Sequence, residues 1–579
     1  MNKNKIEERI ANIKSLDIDE LNDLAEDIRH ILIDKMSKTG GHVGPNLGTV
    51  ELTIALFKLF NFPHDKIVYD VSHQSYTHKI LSGRLSNYVH GVEFDKLSGY
   101  TDPNESAYDN YTIGHTSTSI ALAVGMAKAR DLRGSDEKII ALIGDGSITG
   151  GMAMEALNNA SIIKGNLIII LNDNDMSIAE NHGGLYEHLR NLRNSNGELE
   201  NNFFKNFGLD YRYIDDGNNI EAILKTFSEI KDINHPIVVH VNTLKGKGLK
   251  YAEENPEAWH WHAAFDKETG EYLDDSGEKG YGVYTSETLL EMMKNDSSIV
   301  AIAAGSPASI GFSKEKRIKA GSQFVDVGIE EQMAVTLAAG LAKMGAKPVF
   351  GTSTSFIARA LDQISHDVAL NNLPVTIISC AASIYAMNDQ THLGIYDIAN
   401  FSHIPNLVMI APSSIEEYVA TLSYAVNQNK APIMIKMPGK IIHEEPRDYK
   451  FDNYKFEIIE QGNEIAILAL GTFMTLGKEL HHELKNHGIN ASLINPRFVT
   501  PIDEELLSNL SKSHNKIITL EDGILDGGFG EKISAFYARS NIRVYNYGFK
   551  KEFIDQYDAD EIVRKSGMTV ENILKDLGI

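Results

Sequence analysis

Cysteine is nearly absent from this chain: Cys380 is the only one in 579 residues. A single thiol builds neither a disulfide framework nor a thiolate zinc site within one chain, so a reducing cytoplasm is the expected setting. Positive charge is also short. Fifty-five Lys and Arg stand against 79 Asp and Glu, for a net charge of −24. Such a surface repels phosphates, so neither nucleic acid nor an anionic membrane is an expected partner. Long apolar runs are missing too, and no stretch approaches the length of a membrane span. The N-terminal MNKNKIEERIANIKSLDIDELNDLAEDIRHILIDKM is charged and helical in period, without the apolar region of a secretory signal.

What is present is an ordinary globular balance, 42% apolar and 23% charged. The length predicts two to four domains. KIIALIG, NLIIILND, HPIVVHVN, PVTIISC, LVMIAP, PIMIKM, EIAILAL and KIITLED are short β-branched runs, most of them ending at a turn residue. Between them lie stretches such as GMAMEALNNASIIKG and EQMAVTLAAGLAKMG, with small and apolar residues at helical spacing. Buried strands alternating with helices predict an α/β fold with mostly parallel sheets. The polar stretch GKGLKYAEENPEAWHWHAAFDKETGEYLDDSGEKGYG lacks periodicity and reads as an interdomain linker. A second break falls at MPGKIIHEEPRDYKFDNYKFEIIEQGN. Three domains are therefore expected, at about 1–270, 280–440 and 455–579.

Two strand tips draw the chemistry. IIALIGDG delivers Asp145 to the carboxyl end of one strand, and LIIILNDND delivers Asn172, Asp173 and Asn174 to the end of another. In a parallel α/β sheet, ligands collect at those ends. A carboxylate, an amide oxygen and a backbone carbonyl just past Asn174 make half of a hard-oxygen shell, the set that holds Mg²⁺ when diphosphate oxygens complete it. Gly144, Gly146, Gly150 and Gly151 let backbone approach phosphate, and the following helix offers free N–H groups. Either tip alone is ordinary turn chemistry. Together, both after buried strands, they predict a metal-bridged diphosphate.

GDG followed after about thirty residues by NDN is the thiamine-diphosphate signature. With GGMAMEALNNA and LNDNDMSI around it, the chain resembles the 1-deoxy-D-xylulose-5-phosphate synthase branch of the transketolase superfamily. GGHVGPNLGTVELTIALFKLFNFPHDKIVYDVSHQSYTHKILSGR, GHTSTSIALAVGMAKARDLRG, DVGIEEQMAVTLAAGLAKMGAKPVFG, DQTHLGIYD, NPRFVTPIDEELL and EDGILDGGFGEKI match in order, over nearly the whole chain. The resemblance implies a thiamine-diphosphate-binding fold used twice, plus a transketolase C-terminal-like domain. It also implies a cytoplasmic homodimer, with the cofactor held between the first two domains of one chain. Asp145, Asn174 and the carbonyl of Met176 would bind Mg²⁺. Gly144, Gly146, Ser147, Ile178, His73, His115 and Lys245 would line the cofactor, and Phe356 would stack on its aminopyrimidine.

The cofactor's own imino group must take the proton from its reactive carbon, which requires a carboxyl group at pyrimidine N1′. Glu331 in GIEEQ matches that carboxyl, with Glu330 its neighbour and rival. An acid in the first turn of a helix is the plainer reading of Glu331. Of 21 histidines, His42, His73, His115, His262 and His392 sit in matching blocks. There they resemble groups that orient the donor carbonyl, relay protons or contact diphosphate. Lys245 in TLKGKG reaches phosphate or is a solvated loop lysine.

The departures from the family cluster at the substrate end. Ala381 in CAAS, and Gly439 or Lys440 in KMPGK, stand where the family carries arginines. Pro103 and Asn104 replace a basic stretch, Ser353 a tyrosine, and Asn388 an aspartate that Asp389 follows. Arginine matches carboxylates and phosphates bidentately, and none of the replacements does. Lys436, Lys440 and Arg359 are the candidate substitutes. The expected function is carboligation of pyruvate to D-glyceraldehyde 3-phosphate, giving 1-deoxy-D-xylulose 5-phosphate and CO₂. The alternative is a related transketolase-like enzyme with another donor and acceptor. A non-catalytic descendant would have lost Glu331, Asp145 or Asn174, and all three are present.

Overall fold

The computed structural model describes residues 3–91, 93–274 and 279–579. It divides into two compact units: Met1–Glu278 with Gly328–Glu330, and Lys279–Val327 with Glu331–Ile579.

The first unit is built on β1 (Lys66–Tyr69), β2 (Ile139–Gly144), β3 (Leu167–Asp173), β4 (Asp210–Ile214) and β5 (Pro236–Asn242). All pairings are parallel, in the order β1-β2-β3-β5-β4. Strand side chains alternate between faces, and here both faces are buried. Ile139, Ala141, Ile143, Leu167, Ile169 and Leu171 pack on the side of helices 119–133, 151–160 and 184–194. Ile140, Leu142, Ile168 and Ile170 pack on the side of helices 50–59 and 220–230. That is why these strands read as unbroken apolar runs.

The second unit carries β6 (Ile299–Ala303), β7 (Phe324–Asp326), β8 (Lys347–Ser353), β9 (Thr376–Cys380), β10 (Val408–Ile410) and β11 (Ile433–Lys436), followed by β12 (Glu457–Glu460), β13 (Glu464–Ala469), β14 (Ser492–Asn495), β15 (Phe498–Thr500), β16 (His514–Ile524) and β17 (Arg543–Phe549). One sheet runs β15-β10-β11-β9-β8-β6-β7 and the other β12-β14-β13-β16-β17. Only the edge strands β15 and β12 pair antiparallel. Because β15 joins the earlier sheet, one apolar core runs from Tyr281 through Phe401 to Phe498 and Tyr537. The fold is α/β with mostly parallel sheets, as expected, and all eight apolar runs named above lie on strands.

The stretch read as a linker is partly core. Trp259 and Phe265 are buried in the first unit, and Gly41 pairs with His262 in an isolated antiparallel bridge. Aromatic side chains in that stretch bury apolar area that the lack of periodicity concealed. Its residues 275–278 lie outside the described residues. Among the described residues, no helix is long and apolar enough to cross a membrane.

Candidate active site

In the first unit, β2 and β3 are parallel neighbours with Gly144 opposite Asn172. Their tips therefore emerge side by side, and the Asp145 N–H donates to the Asn172 carbonyl at 3.1 Å. Asp145 is buried and accepts 2.8 Å from Asn181 Nδ2. Burial and the nearby Asp173 carboxylate push its pKa well above the usual carboxylate range. Asn172 Oδ1 is already engaged by Thr243 Oγ1 at 2.5 Å. Asn174 Oδ1 is buried and has no hydrogen-bond partner, as are Ser177 Oγ and Asn181 Oδ1. Of the two asparagines, the structure leaves the amide oxygen of Asn174 open to a ligand. A buried carboxylate that resists ionisation and an orphaned amide oxygen fit a hard divalent cation, which would satisfy both. Among the described residues, no group of three or more His, Cys, Asp or Glu could hold a metal. Met176 follows in the same loop, where its backbone bridges to Glu180.

Around these tips the chain is tight. A Cβ on Gly146 would lie 2.5 Å from Ser177 Oγ, so only glycine fits. Ser147 opens the short turn 147–149 and its carbonyl accepts 2.7 Å from Ser117 Oγ. Gly144 ends β2, and Ile178 is half-buried in the loop beyond Met176. Lys245, just past the end of β5, is buried and donates 2.6 Å to the Ser177 carbonyl. Burial pulls its pKa down to about 8. His115 is half-buried two residues before Ser117, whose N–H, with that of Ser119, is fixed by buried Asp70 at 2.7 and 2.9 Å.

A second cluster in this unit gathers histidines. The ring centroids of His42 and His73 are 5.0 Å apart, and His260 lies 5.8 Å from the first and 5.3 Å from the second. Fully buried Asn46 ties the two turns together, donating to the carbonyls of His42 at 2.8 Å and His73 at 2.7 Å. His260 Nδ1 is buried without a partner. Burial, together with Lys245, His73 and His42, pushes its pKa well below the usual imidazole range, so the ring is neutral. His262, one of the residues expected from the sequence, exchanges backbone hydrogen bonds with Gly41, the neighbour of His42. Its ring is sandwiched between Trp259 at 4.0 Å and Tyr272 at 4.3 Å, and Nδ1 donates to its neighbour's carbonyl, Ala263 O, at 2.9 Å. The stacked Trp259 and Tyr272 rings orient His262, and His260 supplies the third ring of the His42–His73 cluster. The WHWH tandem was the only sequence signal, and it does not choose between the two.

In the second unit, Glu331 opens the helix Glu331–Lys343 and is 4% exposed. Burial raises its pKa, opposed by Arg359, whose Nη1 lies 3.6 Å from Oε2. Glu330, assigned to the first unit, is only half-buried. Phe356 meets His392 edge-on at 5.2 Å, and His392 Nδ1 is 3.0 Å from Asp389 Oδ1.

Residues 4–202 match the family model for 1-deoxy-D-xylulose-5-phosphate synthase. Residues 280–442 match that for the transketolase pyrimidine-binding domain, and 454–573 that for the transketolase C-terminal domain. A 1-deoxy-D-xylulose-5-phosphate synthase of Clostridium acetobutylicum is 39% identical over 98% of both chains. The chain belongs to the 1-deoxy-D-xylulose-5-phosphate synthase family. The Clostridium tetani relative is 38% identical, again over 98% of both, and that of Symbiobacterium thermophilum 37%, over 97% of this chain and 92% of its own. Among solved structures, a transketolase from Campylobacter jejuni is 19% identical over 97% of this chain and 100% of its own, with a TM-score of 0.44. The synthase family is one of thiamine-diphosphate-dependent transferases.

Within this synthase-family chain, the Gly439 position, which departs from the family pattern, has no room for a side chain. A side chain at Gly439 would collide with Ser383 Oγ, which donates 2.5 Å to Asp522. Lys436 is buried, its ammonium engaged by Asp397 at 2.8 Å and the Ala382 carbonyl at 2.5 Å. Burial pushes the Asp397 pKa up to about 6. Lys440 is exposed, 3.7 Å over the Tyr385 ring. Ala381 takes a left-handed φ of 51°. Ser353 Oγ reaches Ser355 Oγ at 3.2 Å, and the Asn388 carbonyl accepts from Gln556 N at 2.7 Å. In the first unit, Asn104 follows Pro103 and caps Asp102 through its N–H at 2.9 Å.

Proposed function

We propose that this chain is a thiamine-diphosphate-dependent carboligase that joins pyruvate, after decarboxylation, to D-glyceraldehyde 3-phosphate, releasing CO₂ and 1-deoxy-D-xylulose 5-phosphate. The observation that carries the reading is kinship over 98% of the chain with relatives bearing that name. Bound thiamine diphosphate supplies a nucleophilic carbon and an electron sink. Asp145, Asn174 and the Met176 carbonyl hold Mg²⁺. Gly144, Gly146, Ser147, Ile178, His73, His115 and Lys245 line the diphosphate, and Phe356 faces the aminopyrimidine. Glu331 keeps a proton at pyrimidine N1′, a role suited to a buried carboxyl with a raised pKa. His42, His73 and His262, with the neutral His260 beside the first two, orient the donor carbonyl and pass its protons, and His392 serves the acceptor. The protein works as a cytoplasmic homodimer of three-domain chains, with domains at about 1–270, 280–440 and 455–579. The test is incubation with thiamine diphosphate, Mg²⁺ and pyruvate. The expected result is CO₂ release that D-glyceraldehyde 3-phosphate accelerates.

A second reading changes the acceptor. It is favoured by Lys436, which spends its charge on Asp397, and by Ser383, which closes the space at Gly439. A phosphate acceptor then finds no bidentate guanidinium at either position. Competing phosphorylated and plain aldehydes of equal length decides between the readings. A higher kcat/KM for the plain aldehyde selects the second.

A further inference from the structure

The turn that carries Asn174 is held from behind by a buried chain of side chains that the reading above leaves without a role. Asp173 and His240 are both fully buried, on the adjacent strands β3 and β5. Tyr211 on β4 donates its hydroxyl to His240 Nδ1 at 2.8 Å, and His240 Nε2 donates to Asp173 Oδ2 at 2.7 Å. This tautomer follows from the two partners, since the carboxylate only accepts. Arg193, on the helix Gly184–Asn194, donates to the same oxygen at 2.5 Å. Its other terminal nitrogen lies 2.7 Å from Asp175 Oδ1. Asp173 Oδ1 in turn accepts the Asp175 N–H at 3.0 Å.

Asn174 is thus flanked by two acids, and one arginine grips both. Asp175 is held at a left-handed φ of 59°, which costs energy for a residue with a Cβ. With Arg193 removed, the Asp173 and Asp175 carboxylates lose the cation that bridges them, and Asp175 keeps only its N–H bond to Asp173 and the more distant Arg190, 3.7 Å away. Both Asp173 oxygens are engaged within the protein, whereas the buried Asn174 amide oxygen between the two acids has no hydrogen-bond partner.

We propose that Arg193 and His240 are positioning residues for the divalent cation: they lock Asp173 and Asp175 on either side of Asn174 and so present its amide oxygen as a ligand. The inference rests on the cofactor reading above. Outer partners of this kind typically change metal affinity by about 10–100-fold. The test is Mn²⁺ binding to the full-length protein with thiamine diphosphate, followed by electron paramagnetic resonance, for Arg193→Ala, Arg193→Lys, His240→Phe and His240→Gln. Thermal unfolding of each variant is measured alongside. The expected result is Mn²⁺ affinity about 10–100-fold weaker for Arg193→Ala and His240→Phe. His240→Gln, which keeps a donor toward Asp173, recovers most of the loss, and Arg193→Lys falls between. Variants that lose thermal stability yet bind Mn²⁺ like the wild type, or a Gln no better than Phe, overturn the positioning role. A wild-type protein that binds no Mn²⁺ with the cofactor overturns the cofactor reading itself, and this inference with it.

Discussion

Glu331 shows how one buried side chain couples stability to chemistry. Its folded pKa is raised by burial, so above its unfolded pKa the folded state binds more protons than the unfolded one. Stability therefore falls as pH rises from the unfolded toward the folded pKa, and that loss persists above it. Glu331→Gln removes the ionisable group. It should raise the melting temperature of the cofactor-free protein at pH 8, by ~2 °C, with the gain vanishing near pH 4. The same substitution should suppress exchange of the cofactor's reactive C–H, followed by proton NMR, while leaving cofactor affinity within about threefold. Asp145 behaves differently, because its acidity is weakened by Asp173 as well as by burial. Asp145→Ala should weaken Mg²⁺ and thiamine diphosphate together, each by about 100-fold or more in calorimetric titration. Undiminished cofactor affinity would remove Asp145 from the ligand set.

At the scale of elements, the site depends on how closely two loops pass. Residues 145–150 follow β2 and residues 174–183 follow β3, and Gly146 meets Ser177 where the loops touch. In Gly146→Ala the new methyl lies 2.5 Å from Ser177 Oγ and 2.9 Å from its Cβ. One loop must then shift, and cofactor affinity should drop by about tenfold or more. Adding Ser177→Gly removes both atoms, so that the nearest remaining neighbour is the backbone α-carbon of that position, 3.1 Å away. The double variant should regain part of the affinity, as measured by titration with thiamine diphosphate at saturating Mg²⁺. No recovery would mean that the glycine serves the ligand directly rather than the packing of the loops.

At the scale of the whole molecule, the second unit joins two sheets through one short strand. β15, three residues in length, pairs with β10 of the sheet before it, and Phe498 within it is fully buried in the shared core. Close by, Arg497 at 2.5 Å and Asn495 at 3.1 Å both donate to buried Glu417, so polar groups also cross the seam. Phe498→Ala should cost about 3–5 kcal/mol. Hydrogen exchange in the full chain should then show β9–β11 and β13–β16 losing protection together. Loss confined to one sheet would show that the shared core is not a single cooperative unit.

Much of this was legible in the amino-acid order. The apolar runs ending in GDG and NDN place Asp145 and Asn174 on neighbouring strand tips because a buried parallel sheet requires continuous apolar strands and reversals at their ends. The matching blocks carried the family. Tertiary structure alone decided the rest. His260 joins the rings of His42 and His73 because residues 255–274 fold irregularly over Gly41, and no periodicity reports where an irregular segment points its rings. The partner of Lys436 is Asp397, 39 residues away, and that of Arg193 is Asp173, 20 residues back. Sequence order prescribes local geometry through repeating backbone and side-chain preferences. Which charges find each other across a core depends on how separate elements pack, and that is settled only when the chain has closed on itself.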